Sequence, residues 1–130
     1  MKLIVCVDER SGMIFNKRRQ SSDGAQIEDM KRLISGEPLA VSPYSAKLLS
    51  DSGIELLVTD NPSVHNGYCF IENTELPDSD KIDTVVVYNW CRHYPADRRF
   101  ELDLSIFKLS ESTEFVGTAH GKIKREIYRK

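Results

Sequence analysis

The sequence predicts an α/β fold, a single domain with a mixed, mostly parallel central sheet and an antiparallel C-terminal strand. Two observations carry this expectation. Residues 3–7 and 84–88 are nearly unbroken apolar runs, as in strands covered on both faces. The segments joining the first three strand-like runs are long enough for helical crossovers, which parallel neighbours require. At 130 residues one domain is expected, large enough to bury roughly two-thirds of its unfolded surface.

The elements follow in order. Residues 3–7 form the first strand and stop at Asp8. Residues 8–22 read as a long polar loop carrying Lys17, Arg18 and Arg19 in a row. Ser22 or Asp23 caps a helix with Ile27, Met30, Leu33 and Ile34 on one face, and Gly36 ends it. Residues 39–41 are a short strand. Ser42-Pro43 pairs an N-cap with proline at the first helical position, opening a helix that passes Leu48 and Leu49 and stops before Gly53. Residues 54–59 read as another buried strand, closed by Asp60-Asn61-Pro62.

The second half changes character. Asn66-Gly67 is a turn before a strand at 68–71. An acidic loop spans 74–81, and the β-branched run 84–88 is a central strand. A loop rich in aromatic and charged residues covers 89–99. Residues 100–104, 106–109 and 113–116 are short strand or turn candidates. Residues 122–129 form the last strand, with Ile123 and Ile127 on one side and Tyr128 on the other. Its alternating cations suit a sheet edge.

Composition excludes several classes. A net charge of −2 gives no overall attraction to nucleic acid or an anionic membrane. The five apolar residues before Asp8 are too short for a signal segment or a membrane span. Cys6, Cys69 and Cys91 are odd in number and dispersed, without Cys-x-x-Cys spacing. They favour a reducing cytoplasm, and no metal is expected.

Six features in order resemble dihydrofolate reductases over most of the chain. Asp8 and Gly12-Met13-Ile14 resemble the end of that family's first strand and its mobile loop. Glu28-Asp29-Met30-Lys31 resembles the start of its first helix, and Glu37-Pro38-Leu39-Ala40-Val41 its next strand. Tyr94-Pro95-Ala96-Asp97, Phe107-Lys108-Leu109 and Ile127-Tyr128-Arg129 are similar to its later features. The resemblance implies one dihydrofolate reductase-like domain over residues 1–130. It also implies a lone carboxylate, Glu28 or Asp29, as the acid that protonates a pterin, and Ser45 at a cofactor-phosphate position.

The chain departs from the pattern at the cofactor segments. Ser42-Pro43 stands where the family has Gly-Arg, and Glu72-Asn73 where it has Gly-Gly. Glu72 adds an anion beside a diphosphate position, which is wrong in sign. Few residues separate Asp60 from Tyr68, so the helix before that turn is absent too. Arg19-Gln20 takes the place of a Pro-Trp. No cofactor is therefore expected, NADPH included.

Asn16, Arg18, Arg19 and Gln20 supply guanidiniums and amides suited to phosphate, carboxylate or base edges. Trp90 can stack on a ring and Arg92 can bind an anion. Cys91 and His93 lack a third group to orient them. His65 and His120 are isolated in polar turns and carry no signal. The expected function is binding of a small anionic or heteroaromatic ligand without NADPH-dependent hydride transfer, catalysis being left open. Two alternatives stand beside it: a reductase with a rebuilt NAD(P)H site, and a polyanion- or partner-binding module built on Arg18, Arg19, Arg98 and Arg99.

Overall fold

Strand β1 (Lys2–Val7) lies at the centre of a seven-stranded sheet. The computed structural model describes all 130 residues, Met1–Lys130. Around β1 are β4 (Leu39–Val41), β5 (Leu56–Val58), β6 (Tyr68–Phe70), β7 (Thr84–Asn89), β9 (Lys108–Phe115) and β10 (Ile123–Arg129). The order is β5-β4-β6-β1-β7-β10-β9. The first five run parallel; β10 is antiparallel to β7, and β9 antiparallel to β10. The expected mixed sheet is present, with β10 as the one strand that runs against the others.

Alternation along the strands sorts side chains into two cores. Leu3, Val5 and Val7 face one side with Val85 and Val87, covered by Met13, Ile14, Ile82 and Phe107 from loops and short elements. Ile4, Phe70, Val86, Tyr88, Ile123 and Ile127 face the other. Helices α1 (Gly24–Ile34) and α2 (Pro43–Leu49) cover that second face with Met30, Ile34 and Leu49. Each such fully buried aliphatic side chain stabilises the fold by about 1.5–3 kcal/mol. Both helices start as their caps require. Asp23 accepts from the Ala25 N–H, and Ser42 from the Ser45 N–H with Pro43 beginning the helix.

Four expectations are corrected. The 8–22 loop contains a hairpin, β2 (Gly12–Phe15) with β3 (Arg18–Arg19), turned by Asn16 and Lys17 at φ 51° and 64°. A two-residue turn with both φ positive matches strand twist, and Asn at its first position eases it. β8 (Arg98–Arg99) pairs with β2, making a second, three-stranded sheet. The run at 54–59 is an edge, and Leu57 and Val58 are exposed. Residues 108–109 and 113–115 belong to one eight-residue strand, because β10 also pairs with Glu111 and Ser112 between them, with a register irregularity at Ser110. Ile106 stays in a short helical turn, and Val116 lies outside the strand. β10 is therefore interior and β9 is the edge; on β10, Arg125 pairs with Asp29 and Glu111, and Lys124 with Glu126.

No helix is long and apolar enough to cross a membrane.

Candidate functional site

All five parallel strands end at the same edge of the sheet, and their carboxyl ends deliver Asp8, Ser42, Glu72 and Trp90 to it. Ligands of open α/β sheets bind at this edge. The β2–β3 hairpin and the loop after β7 lie over it. Asp8 holds them both: it accepts from the backbone N–H groups of Arg10, Gly12 and Tyr94 and from Gln20 Nε2. Burial alone would raise the Asp8 carboxyl, but these donors outweigh it and keep the carboxyl below its ordinary value. Gly12 packs so tightly here that a Cβ would lie 2.5 Å from Gln20 Nε2 and 2.7 Å from Ala96 Cβ.

From β3, Arg19 crosses to the end of β6. Its Nε and Nη2 donate to Glu72 Oε2 and Oε1 at 2.8 and 2.9 Å. Its guanidinium also sits 4.4 Å from the centre of the Tyr44 ring, and the Arg19 backbone N–H donates to the Tyr44 hydroxyl. Ser45 Oγ donates to Glu72 Oε1 at 2.7 Å, and Ser42 Oγ donates to Asn73 Oδ1 at 3.0 Å. Burial works against the charged Arg19, but Glu72 more than restores it, and the pKa of Arg19 rises. Burial, reinforced by Glu72, pushes the nearby Cys6 thiol well above its ordinary range and keeps it protonated at neutral pH. Arg98 completes the cluster by donating to the carbonyls of Glu72 and Thr74.

A cavity of about 260 Å³ opens beside this cluster, lined by Phe15, Asn16, Arg18, Arg19, Gln20, Tyr94 and Pro95. Asn16, Arg18, Arg19 and Gln20 thus share one concavity, and Ser45 joins them through Glu72. Arg18 is exposed on its wall. Trp90 is buried, and its ring stacks at 4.7 Å on His120 rather than facing the cavity. Arg92 is exposed and contributes its carbonyl to the Glu9 N–H. Glu28 is exposed on a separate cavity of about 460 Å³ between the end of α1 and residues 53–55. Asp29 is buried, accepting from Tyr88 Oη at 2.7 Å and Arg125 Nη1 at 2.8 Å.

Asp23, Tyr94 and His120 form a second polar cluster that sequence reasoning missed. Asp23 accepts from Ala25, Thr118 and Ala119 N–H groups, from Thr118 Oγ1, and from His120 Nδ1 at 2.9 Å. Burial opposes the Asp23 charge, but the His120 bond and these donors prevail and hold its carboxyl far below the ordinary range. An isolated histidine 97 residues from its partner aspartate leaves no local spacing to read.

No family model matches the chain, and no curated protein matches it in sequence. A structural comparison does. A dihydrofolate reductase from Enterococcus faecalis, complexed with NADP(H) and RAB-propyl, superposes with a TM-score of 0.64 over 98% of this chain and 94% of that one, at 10% identity. This chain has the dihydrofolate reductase fold. At that identity the likeness concerns architecture alone.

Proposed function

We propose that this protein uses the dihydrofolate reductase fold to bind a small anionic or heteroaromatic ligand, without NADPH-dependent hydride transfer. One observation carries the reading. The segments that correspond, by resemblance, to the diphosphate contacts are joined to each other: Ser42 to Asn73, and Ser45 to Glu72, with Arg19 locked on Glu72. A buried carboxylate at this position repels a diphosphate. The cation that would offset it is already held in a two-point ion pair. These residues do not fit a dinucleotide phosphate.

The neighbouring cavity suits a smaller ligand. Arg18 offers an exposed guanidinium, Asn16 an amide, and Phe15 and Tyr94 apolar ring surface. Three of the four arginines that a polyanion would need are bound to protein acceptors instead: Arg19 to Glu72, Arg98 to two carbonyls, and Arg99 to the Arg10 carbonyl. This favours a small ligand over a polyanion surface.

The test is a thermal-shift and NMR screen of small aromatic acids and heteroaromatic compounds, with NADPH in parallel. Compounds that raise the melting temperature and shift Phe15 and Tyr94 resonances support the reading. Stabilisation by NADPH at micromolar concentration, or NADPH oxidation in the presence of dihydrofolate, sinks it.

A further inference from the structure

The cluster of Asp23, Tyr94 and His120 contains a fourth member, Ser21. His120 Nε2 lies 3.1 Å from Ser21 Oγ and 3.0 Å from Tyr94 Oη. The ionised Asp23 carboxylate can only accept, so its bond to His120 fixes the proton on Nδ1. With the proton on Nδ1, the Nε2 lone pair is the acceptor that the two hydroxyls face. The ring cannot turn away: it is buried, stacked on Trp90 at 4.7 Å, and edge-on to Tyr94 at 6.3 Å. Ser21 is half-buried at the end of the hairpin segment, directly after cavity-lining Gln20. A hydroxyl, an imidazole and a buried carboxylate in this order are the parts of an acyl-transfer relay.

We propose that Ser21 is a nucleophile activated by His120, with Asp23 as the positioning residue, acting on small carboxylic esters. Ser21 Oγ attacks the ester carbonyl carbon as its proton passes to His120 Nε2. The carbonyl C–O bond to the alcohol breaks, and Nε2 returns the proton to the departing alkoxide. Water then attacks the acyl-serine, Nε2 taking one proton and giving it back to Ser21 Oγ, so that a carboxylic acid leaves. When Ser21 holds the Nε2 lone pair, the Tyr94 hydroxyl is released to donate elsewhere, and a hydroxyl donor is what the developing negative carbonyl oxygen requires. Tyr94 also lines the cavity, so the relay borders it, and Arg18 in the same lining favours esters bearing an anionic group. The relay stands whether or not the cavity's own ligand is the class proposed above, because it rests on a separate cluster.

A fluorophosphonate probe reads it directly. The activated Ser21 Oγ bonds phosphorus, fluoride departs, and peptide mass spectrometry locates the adduct. Labelling is expected at Ser21, should vanish in Ser21→Ala, and should fall by at least roughly 100-fold, the scale of general-base assistance, in His120→Gln. Ser21→Ala alters a half-buried hydroxyl and keeps the melting temperature, which separates chemistry from unfolding. In Asp23→Asn the pH profile of labelling changes shape, whereas a structural loss alone lowers the rate equally at every pH. Hydrolysis of p-nitrophenyl acetate should follow the same order. Absence of a Ser21 adduct in the folded wild-type protein, or equal labelling of Ser21→Ala, overturns the proposal.

Discussion

Arg19 and Glu72, 53 residues apart in sequence, form a two-point ion pair that ties the β2–β3 hairpin to the end of β6. Glu72 is buried and Arg19 mostly so. Removing one partner strands the other, so Arg19→Ala should cost about 2–4 kcal/mol by urea denaturation. Arg19→Met with Glu72→Met should cost less than the two single changes summed, since no charge is left unpaired. Additive losses in that double-mutant cycle would show that the two side chains are not coupled.

Asp23 makes stability depend on acid. Its folded pKa lies below the unfolded value, so the unfolded chain binds more protons in the interval between them, and stability rises with pH there. The contribution is complete above about pH 5, roughly a unit over the ordinary carboxylate value, and disappears as the pH falls through the folded pKa. Asp8 and Asp83 are lowered as well and act in the same direction. Asp23→Ala should cost about 2–4 kcal/mol at neutral pH, from lost capping and stranded donors. Denaturation midpoints measured from neutral pH down to about pH 3 should fall less steeply in the variant.

Tyr88 is buried on β7 with its hydroxyl donated to Asp29. Burial first, and then the Asp29 charge, pushes its pKa far above the ordinary phenol range. An alkaline ultraviolet titration should show one tyrosine that ionises only on unfolding, and Tyr88→Phe should remove that component. The same variant should cost about 1 kcal/mol, one hydrogen bond, because Arg125 still satisfies Asp29.

Gly117 is held against the Asp23 cluster. A Cβ there would lie 2.5 Å from Asp23 Oδ2, 2.8 Å from Ile123 Cδ1 and 2.9 Å from the His120 carbonyl. Gly117→Ala should destabilise by about 1–3 kcal/mol through overpacking. It should also displace the His120 ring resonances in NMR spectra. Gly121→Ala meets no atom within 4 Å and serves as the control.

Local chemistry was legible in the sequence wherever cause and effect are neighbours. Asp23 and Ser42-Pro43 cap the helices they precede. The apolar runs of β1 and β7 are interior strands, and Ile123 and Ile127 share a face. The hairpin was hidden because Asn16-Lys17 is a weak turn signal beside Asn-Gly. The edges were misplaced because cations on β10 look alike whether they face solvent or, as Arg125 does, bridge Asp29 and Glu111.

The sequence by itself determined the interior strands β1 and β7, the starts of the two helices and the mixed α/β class, since these follow from periodicity, caps and β-branched runs. Tertiary structure alone decided which charges meet. Arg19 could have faced solvent or a ligand, and it faces Glu72; Trp90 could have stacked on a ligand, and it stacks on His120. Only folding brings Ser21, Asp23 and Tyr94 within reach of His120, because the hairpin segment, the loop after β7 and the turn between β9 and β10 converge from distant parts of the chain. Hydrogen bonds act over about 3 Å, and no spacing rule spans the sequence distance that the sheet closes.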